Sequence, residues 1–278
     1  MGWIPGKLMA TSAEPGDYSE NGLLMCHRCH EPKQARVSID GKDVLVPVLC
    51  RCQSEAEAMQ KEDAAAKRFR GMMKQLWEDG ISCPDALRYT FQEDDGKDAK
   101  ISNACKRYVE RWEEMSADNI GILFHGTVGT GKTFFASCIG NGLLKKRVSV
   151  AATNFPRLLN LLHGAQEKQK LLDRLRLYSL LIVDDLGVER DSGFAMEQVF
   201  NVIDARAVSG LPLIVTTNLT LDELERPASM QAARIYDRVL ELCPVRFKLT
   251  GESRRHGNAE ERKRKARELL LDKKEETP

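Results

Sequence analysis

The stretch Gly126-Thr127-Val128-Gly129-Thr130-Gly131-Lys132-Thr133 reads G-x-x-x-x-G-K-T and follows an apolar run, Ile120-Gly121-Ile122-Leu123-Phe124. A glycine-rich turn between a buried strand and a new helix wraps backbone N–H groups around phosphate oxygens. The positive end of the helix adds to the attraction. In such a turn Lys132 reaches the terminal phosphates and the Thr133 hydroxyl helps to hold Mg²⁺. Gly126, Thr127, Gly129, Thr130, Gly131, Lys132 and Thr133, with Phe134 beside them, are therefore the expected contacts to a nucleoside triphosphate. Taken alone the motif is also readable as an accidental glycine turn, but the residues that follow argue against this.

Leu180-Leu181-Ile182-Val183-Asp184-Asp185 is a continuous apolar run ending in two carboxylates, the pattern of a strand buried on both faces of a parallel sheet. At the carboxyl end of such a strand the first acid, Asp184, is expected in the Mg²⁺ shell. The second, Asp185, orients or polarises the attacking water. Leu213-Ile214-Val215-Thr216-Thr217-Asn218 is a further buried-type strand, and Asn218 at its end is a candidate contact to the γ-phosphate or the water. No Asn-Lys-x-Asp guanine-reading motif is present, so ATP is expected rather than GTP. In Arg234-Ile235-Tyr236-Asp237-Arg238-Val239-Leu240 the spacing of four puts both arginines on one helix face and Ile235 and Val239 on another. An arginine offered to a neighbouring subunit's nucleotide would stabilise charge developing during phosphoryl transfer, with Arg234 preferred over Arg238. A solvated face paired with Asp237 or Glu241 is the plainer alternative. Arg254, in Ser253-Arg254-Arg255, is a candidate second arginine supplied in cis.

The elements that must position these groups alternate. Strands are expected near 120–124, 148–152, 180–183, 213–217 and 245–249 with helices between, an α/β fold with a parallel sheet flanked by helices. The motifs in this order and wording resemble the AAA+ P-loop ATPases. These are Gly80-Ile81-Ser82-Cys83-Pro84 through Tyr89-Thr90-Phe91, Gly126–Thr133, Asp184-Asp185-Leu186-Gly187, Leu211-Pro212 through Thr217-Asn218-Leu219, and Arg234–Arg238. Within that class they resemble the DnaC/IstB branch, particularly the DnaC-like helicase loaders of phages and prophages. The resemblance runs from about Gly80 to Arg255. It implies ATP-controlled delivery of a hexameric replicative helicase onto single-stranded DNA, with self-association into an ATPase oligomer. Many related ATPases carry Asp-Glu where this chain has Asp184-Asp185, so Asp185 is a shorter base with a longer reach.

A second chemical signal lies near the amino terminus. Cys26-His27-Arg28-Cys29 and Cys50-Arg51-Cys52 form C-x₂-C and C-x-C pairs, a spacing that suits a tetrahedral thiolate site for Zn²⁺. The intervening Arg36–Leu49 segment, with its turn at Ile39-Asp40-Gly41-Lys42, reads as a β-hairpin that brings the pairs together. Cys26, Cys29, Cys50 and Cys52 are the expected ligands, with His27 or His30 as replacements for one thiolate. A zinc-binding front end is also like that of many members of the resembled family. Disulfides are the rival reading, disfavoured in a chain without a secretory signal.

The 278 residues suit one α/β domain plus a small module. The expected layout is a tail over 1–20, a zinc module over 21–53, a helical linker over 54–79, the ATPase domain over 80–252 and a charged tail over 253–278. A Ser54 cap with Glu57 behind it marks the start of the linker helix. The formal net charge of +1 gives no global attraction to nucleic acid, so any DNA contact must be local. Arg157, Lys168, Lys170 and Arg174, after the second strand, are the candidates, in the part that lines a single-strand channel in the resembled family. No apolar run has membrane-spanning length, and a cytoplasmic protein with no membrane partner is expected. The residues leave room for two other functions. One is a transposition helper of the IstB kind on duplex DNA, and the other is a non-hydrolysing adaptor switched by ATP.

Overall fold

A computed structural model of the chain describes residues 13–39, 41–78, 80–164, 168–187, 193–254, 263–267 and 269–270. The expected amino-terminal tail up to residue 12, Asp40 in the hairpin turn, Arg255 and most of the charged tail lie outside them. The chain divides into two compact units, Met1–Gly71 and Met72–Pro278.

In the first unit β1 (Tyr18–Glu20) pairs antiparallel with β2 (Leu23–Met25). Their Asn21-Gly22 connection has positive φ at both residues, 53° and 75°, as a two-residue hairpin turn requires. The hairpin expected between the cysteine pairs is β3 (Gln34–Ile39) against β4 (Lys42–Pro47), with Val37 opposite Val44. Helix α1 (Arg51–Glu78) follows at once. It begins three residues ahead of the expected Ser54 cap. Ser54 lies inside the first turn, where its hydroxyl donates to the Arg51 carbonyl at 2.9 Å. Cys52 is thereby placed in the helix's first turn, fixed against Cys50. Up to Gly71 the helix buries no residue. It is supported by propensity and by pairs such as Glu57–Lys61 at 2.5 Å.

The second unit takes in the last turns of α1, where Met73 and Leu76 are buried, then two single 3₁₀ turns (Pro84–Leu87 and Phe91–Glu93). Next come α2 (Ala99–Glu110) and α3 (Trp112–Ala117), parted at Arg111. The remaining elements alternate: β5 (Ile122–Gly126), α4 (Lys132–Lys145), β6 (Val150–Asn154), α5 (Phe155–Gly164) and α6 (Lys168–Leu175). They continue with β7 (Leu180–Leu186), α7 (Gly193–Ser209), β8 (Leu213–Thr217), α8 (Leu221–Glu225), α9 (Met230–Leu242) and β9 (Val245–Leu249). The five later strands form one parallel sheet in the order β6-β7-β8-β5-β9. All five expected strands are present, β5 and β6 beginning two residues later than the sequence suggested. Every residue of β5 and β8 is buried, which is why both read as unbroken apolar runs.

One face of the sheet packs against α2 and α4 through Ile122, Phe124, Phe135, Ile139, Leu143, Ile182 and Ile214. Elsewhere α9 packs on β5 and on α7. The β6 edge is covered by the chain before the first 3₁₀ turn, where Cys83 N–H donates to the Ala152 carbonyl at 2.7 Å. A guanidinium ties down the amino ends of β7 and β8. Arg206 of α7 is 1% exposed and donates to the carbonyls of Leu175, Tyr178, Ser179 and Pro212. Burial without a carboxylate holds it down to about 9.

Because β5 is inserted between β8 and β9, its carboxyl end lies where connections run off in both directions. A parallel sheet leaves its ligand crevice there.

Candidate functional site

The turn that leaves β5 is built for close approach. Gly129 and Gly131 have φ of 80° and 106°. A Cβ at Gly129 would stand 2.1 Å from the Ser253 hydroxyl, and one at Gly131 would stand 3.3 Å from the Arg254 guanidinium carbon. Only glycine fits either position, and Gly131 leads directly into α4. The loop is pinned below by β9: Thr127 N–H donates to the Leu249 carbonyl at 3.1 Å, and the Thr130 hydroxyl to the same oxygen at 3.3 Å. Lys132 is 5% exposed and folds its ammonium back onto the carbonyls of Gly126 and Thr127, at 3.0 and 2.7 Å.

Asp184 meets this loop from β7. The Thr133 hydroxyl donates to both Asp184 oxygens, at 2.9 and 3.1 Å. Thr216 of β8, fully buried, donates its hydroxyl to the same carboxylate. It also accepts Asp185 N–H at 3.0 Å. The β7–β8 register shifts between Val183 and Leu186, so Asp184 and Asp185 form a bulge. Asp185 takes φ 61° there, a left-handed conformation that aspartate tolerates better than most side chains. Thr217 closes the bulge with a 2.6 Å bond to the Leu186 carbonyl. Both threonines looked like strand filler in the sequence; their place directly before Asn218 was the only signal. Asn218 itself is exposed, at the carboxyl end of the strand between the loop strand and the acid strand.

Ahead of the domain, Tyr89 is fastened to α4. Its N–H donates to Ser137 Oγ at 3.0 Å, and Asn141 Nδ2 donates to its carbonyl at 2.8 Å. Its ring lies 5.5 Å from that of Phe134. Arg254 lies across the loop, its N–H donating to the Gly129 carbonyl at 2.9 Å and its side chain paired with Asp95 and Asp98.

The other sequence-selected residues stand apart from the loop. Arg234 is exposed and stacks on Phe200 at 4.6 Å, while Arg238 pairs with Asp204 and Glu241 at 3.4 and 3.0 Å. Ile235, Val239 and Leu242 of the same helix are buried. Arg157 is half-buried and gives its Nε–H to the Gly80 carbonyl at 2.7 Å. Lys168, Lys170 and Arg174 are exposed on α6, with Lys168 4.9 Å from the Phe194 ring.

In the first unit the four thiols of Cys26, Cys29, Cys50 and Cys52 lie within 4.8 Å of one another. Cys52 Sγ is 3.5 Å from Cys26 Sγ and 3.4 Å from Cys50 Sγ. A tetrahedral Zn–S₄ site needs sulfur separations of roughly 3.8 Å, so the donor set fits zinc with little adjustment. The two histidines are engaged elsewhere: His27 Nδ1 with Asp17 at 3.1 Å, His30 Nδ1 with the Tyr18 hydroxyl at 3.1 Å. Backbone N–H groups of Cys52 and Glu31 bring the Cys29 thiol down to about 6. Hydrogen bonding with Cys50 and Cys26 pushes Cys52 up to about 12. Asp17, with its carboxylate on the buried Lys33 ammonium at 2.6 Å, is held far below the carboxylate range by that contact. Sequence reading passed over this ion pair, since neither residue falls in a motif.

Comparison with known proteins agrees with this geometry. The replicative helicase loader DnaC of Escherichia coli K12 is 26% identical over 142 residues, 49% of this chain and 57% of DnaC. A Mycobacterium tuberculosis protein described as ATP-binding and in an insertion sequence is 29% identical over 100 residues, 35% of this chain and 40% of its own. The chain thus spans well under two thirds of the curated relatives it matches. The crystal structure of DnaI, 26% identical, superposes with a TM-score of 0.53 over 64% of this chain and 99% of that one. No helix among the described residues is long and apolar enough to cross a membrane. The family model described as IstB-like ATP binding protein matches residues 64–262, and the chain belongs to that family of ATP-binding proteins.

Proposed function

We propose that this protein is an ATPase that delivers a replicative helicase onto single-stranded DNA. The observation that carries the enzymatic part is the Thr133–Asp184–Thr216 chain of hydroxyl and carboxylate beside a preformed phosphate loop. Thr133 and Asp184 would hold Mg²⁺, which neutralises charge on the transferred phosphate. Lys132 exchanges its carbonyl partners for phosphate oxygens, which are stronger acceptors. Asp185 and Asn218 orient the attacking water, and Asp185 takes its proton. Arg254 contacts the phosphates in cis. The likeness to DnaC and DnaI supports the loader role. Arg157, Lys168, Lys170 and Arg174 would supply salt-sensitive contacts to single strands, and the thiol cluster, closed on zinc, would hold the module that grips the helicase. The setting of such work is the cytoplasm.

Arg234 is the finger we assign to a neighbouring subunit's nucleotide. Its only described partner is an aromatic ring, so the guanidinium leaves it at little cost, whereas Arg238 must break two ion pairs. Arg234→Ala is expected to bind ATP normally and to lose turnover about 10³-fold in the assembled state. Unchanged phosphate release would make it a surface residue.

The loader reading is tested by co-elution with the replicative helicase in ATP, followed by light scattering. A stable complex that dissociates when single-stranded DNA is added supports it. The insertion-sequence relative favours a second reading, a transposition helper. Absence of a helicase complex together with ATP-dependent capture of a transposase on duplex DNA would establish that one instead.

A further inference from the structure

Asp98 immediately precedes α2, where an aspartate ordinarily turns its carboxylate onto the free N–H groups of the first turn. Here it makes no such bond. Its carboxylate instead accepts from Nη2 of Arg254, 156 residues along the chain. Asp95 takes Nη1 of the same guanidinium at 3.2 Å. The acidic turn that presents both is itself fixed, with Asp94 Oδ1 accepting Gly96 N–H and Asp95 Oδ1 accepting Lys97 N–H, each at 3.1 Å. On its other side the guanidinium lies against Gly131, close enough that a Cβ there would press on it. The arginine side chain is only 20% exposed, clamped between the acidic turn and the phosphate loop.

We infer that Asp95 and Asp98 are positioning residues: they hold the Arg254 guanidinium over the phosphate loop, already ordered to receive the triphosphate. This rests on the nucleotide-site reading above. A free arginine loses much rotamer freedom when it takes an anion, and ordering it beforehand removes that loss from binding. The guanidinium has N–H groups to spare. Each carboxylate engages one Nη, leaving Nε–H and the second hydrogens of both Nη atoms for phosphate oxygens. A helix cap given up for a contact 156 residues away marks the contact as the stronger demand on Asp98.

The test is a double-mutant cycle in the full chain, read by binding of fluorescent ATP and ADP analogues and by phosphate release. Arg254→Ala and Asp98→Ala are each expected to weaken ATP binding about tenfold, with a smaller effect on ADP. Adding Asp98→Ala to Arg254→Ala should cost nothing further, because no guanidinium remains to be positioned. Asp98→Glu should restore most of the affinity. If Asp98 served only α2, its effect would persist in full without Arg254, and the inference would fall. Unchanged ATP binding in Asp98→Ala would overturn it, and so would tighter binding, which would make the carboxylates competitors of the phosphate. Should Asp98→Ala not fold, Asp98→Asn keeps the size of the side chain, loses the charge and completes the cycle. Wild-type protein that binds no ATP would overturn the nucleotide reading as well, whereas normal binding with no coupling overturns this inference alone.

Discussion

Lys132→Ala is expected to lose ATP turnover by at least about 10²–10³-fold, the scale of removing one preorganised group that meets charge in the transition state. The ammonium is already stripped of water and held at 3.0 and 2.7 Å from two loop carbonyls. Phosphate oxygens can take it over without the cost of drying it. The same contacts have a structural side. Alanine leaves the Gly126 carbonyl short of a donor, which costs about 1–3 kcal/mol of stability, while the Thr127 carbonyl keeps the Thr130 hydroxyl at 2.8 Å. Thermal melting must therefore accompany the phosphate-release assay, and Lys132→Arg gives a variant that keeps the charge but not the geometry. A folded Lys132→Ala protein with normal phosphate release would end the enzymatic reading.

Removing zinc is expected to unfold the first unit and leave nucleotide binding by the second intact. Among the described residues of Met1–Gly71 only Cys26, Lys33 and Cys50 are buried. Two thiols and an ammonium are no hydrophobic core, and small segments of this kind draw their folding energy from the metal, about 10–16 kcal/mol of apparent binding for structural zinc. Chelation, or Cys26→Ser, should collapse amide protection over β1–β4 in hydrogen exchange while fluorescent-ATP binding persists. With Cys52 raised to about 12 and Cys50 raised by burial, both carry their protons near neutrality. Zinc is held by thiolates, so its uptake should release protons and its affinity should fall as pH is lowered. Protection that survives chelation would mean that hydrogen bonds alone hold the unit.

The strands were legible because burial on both faces writes itself as unbroken apolar runs in β5, β7 and β8. The phosphate loop and the cysteine pairs were legible because their chemistry needs fixed spacing. What escaped the sequence is what depends on strand register. That Thr216 joins Asp184 to Asp185 follows from a bulge, and a bulge has no composition of its own. Asp98 stands directly before α2, where local rules favour a cap, yet its partner is Arg254, brought close only by the β5–β9 pairing. The break at Arg111 was likewise unmarked. The early start of α1 followed from Cys50, whose carbonyl accepts the N–H groups of Gln53 and Ser54 and so opens the helix before Ser54 can cap it.

The order of the sheet has a consequence for how the protein is made. As the chain emerges, β5 is the first strand of its unit, yet its partners β8 and β9 begin about 90 and 120 residues further on. At ordinary rates of about 5–20 residues per second, Ile122-Leu123-Phe124 wait roughly 6 to 24 s for the second of them. During that time the strand is an apolar segment with two open edges, the condition that invites pairing with the wrong chain. The β6–β7 pair can form meanwhile, but the loop cannot be anchored, because its hold on the sheet is the Leu249 carbonyl. A chain cut short before Leu249 would carry every motif residue from Gly126 to Asn218 and still lack the anchored loop on which they act.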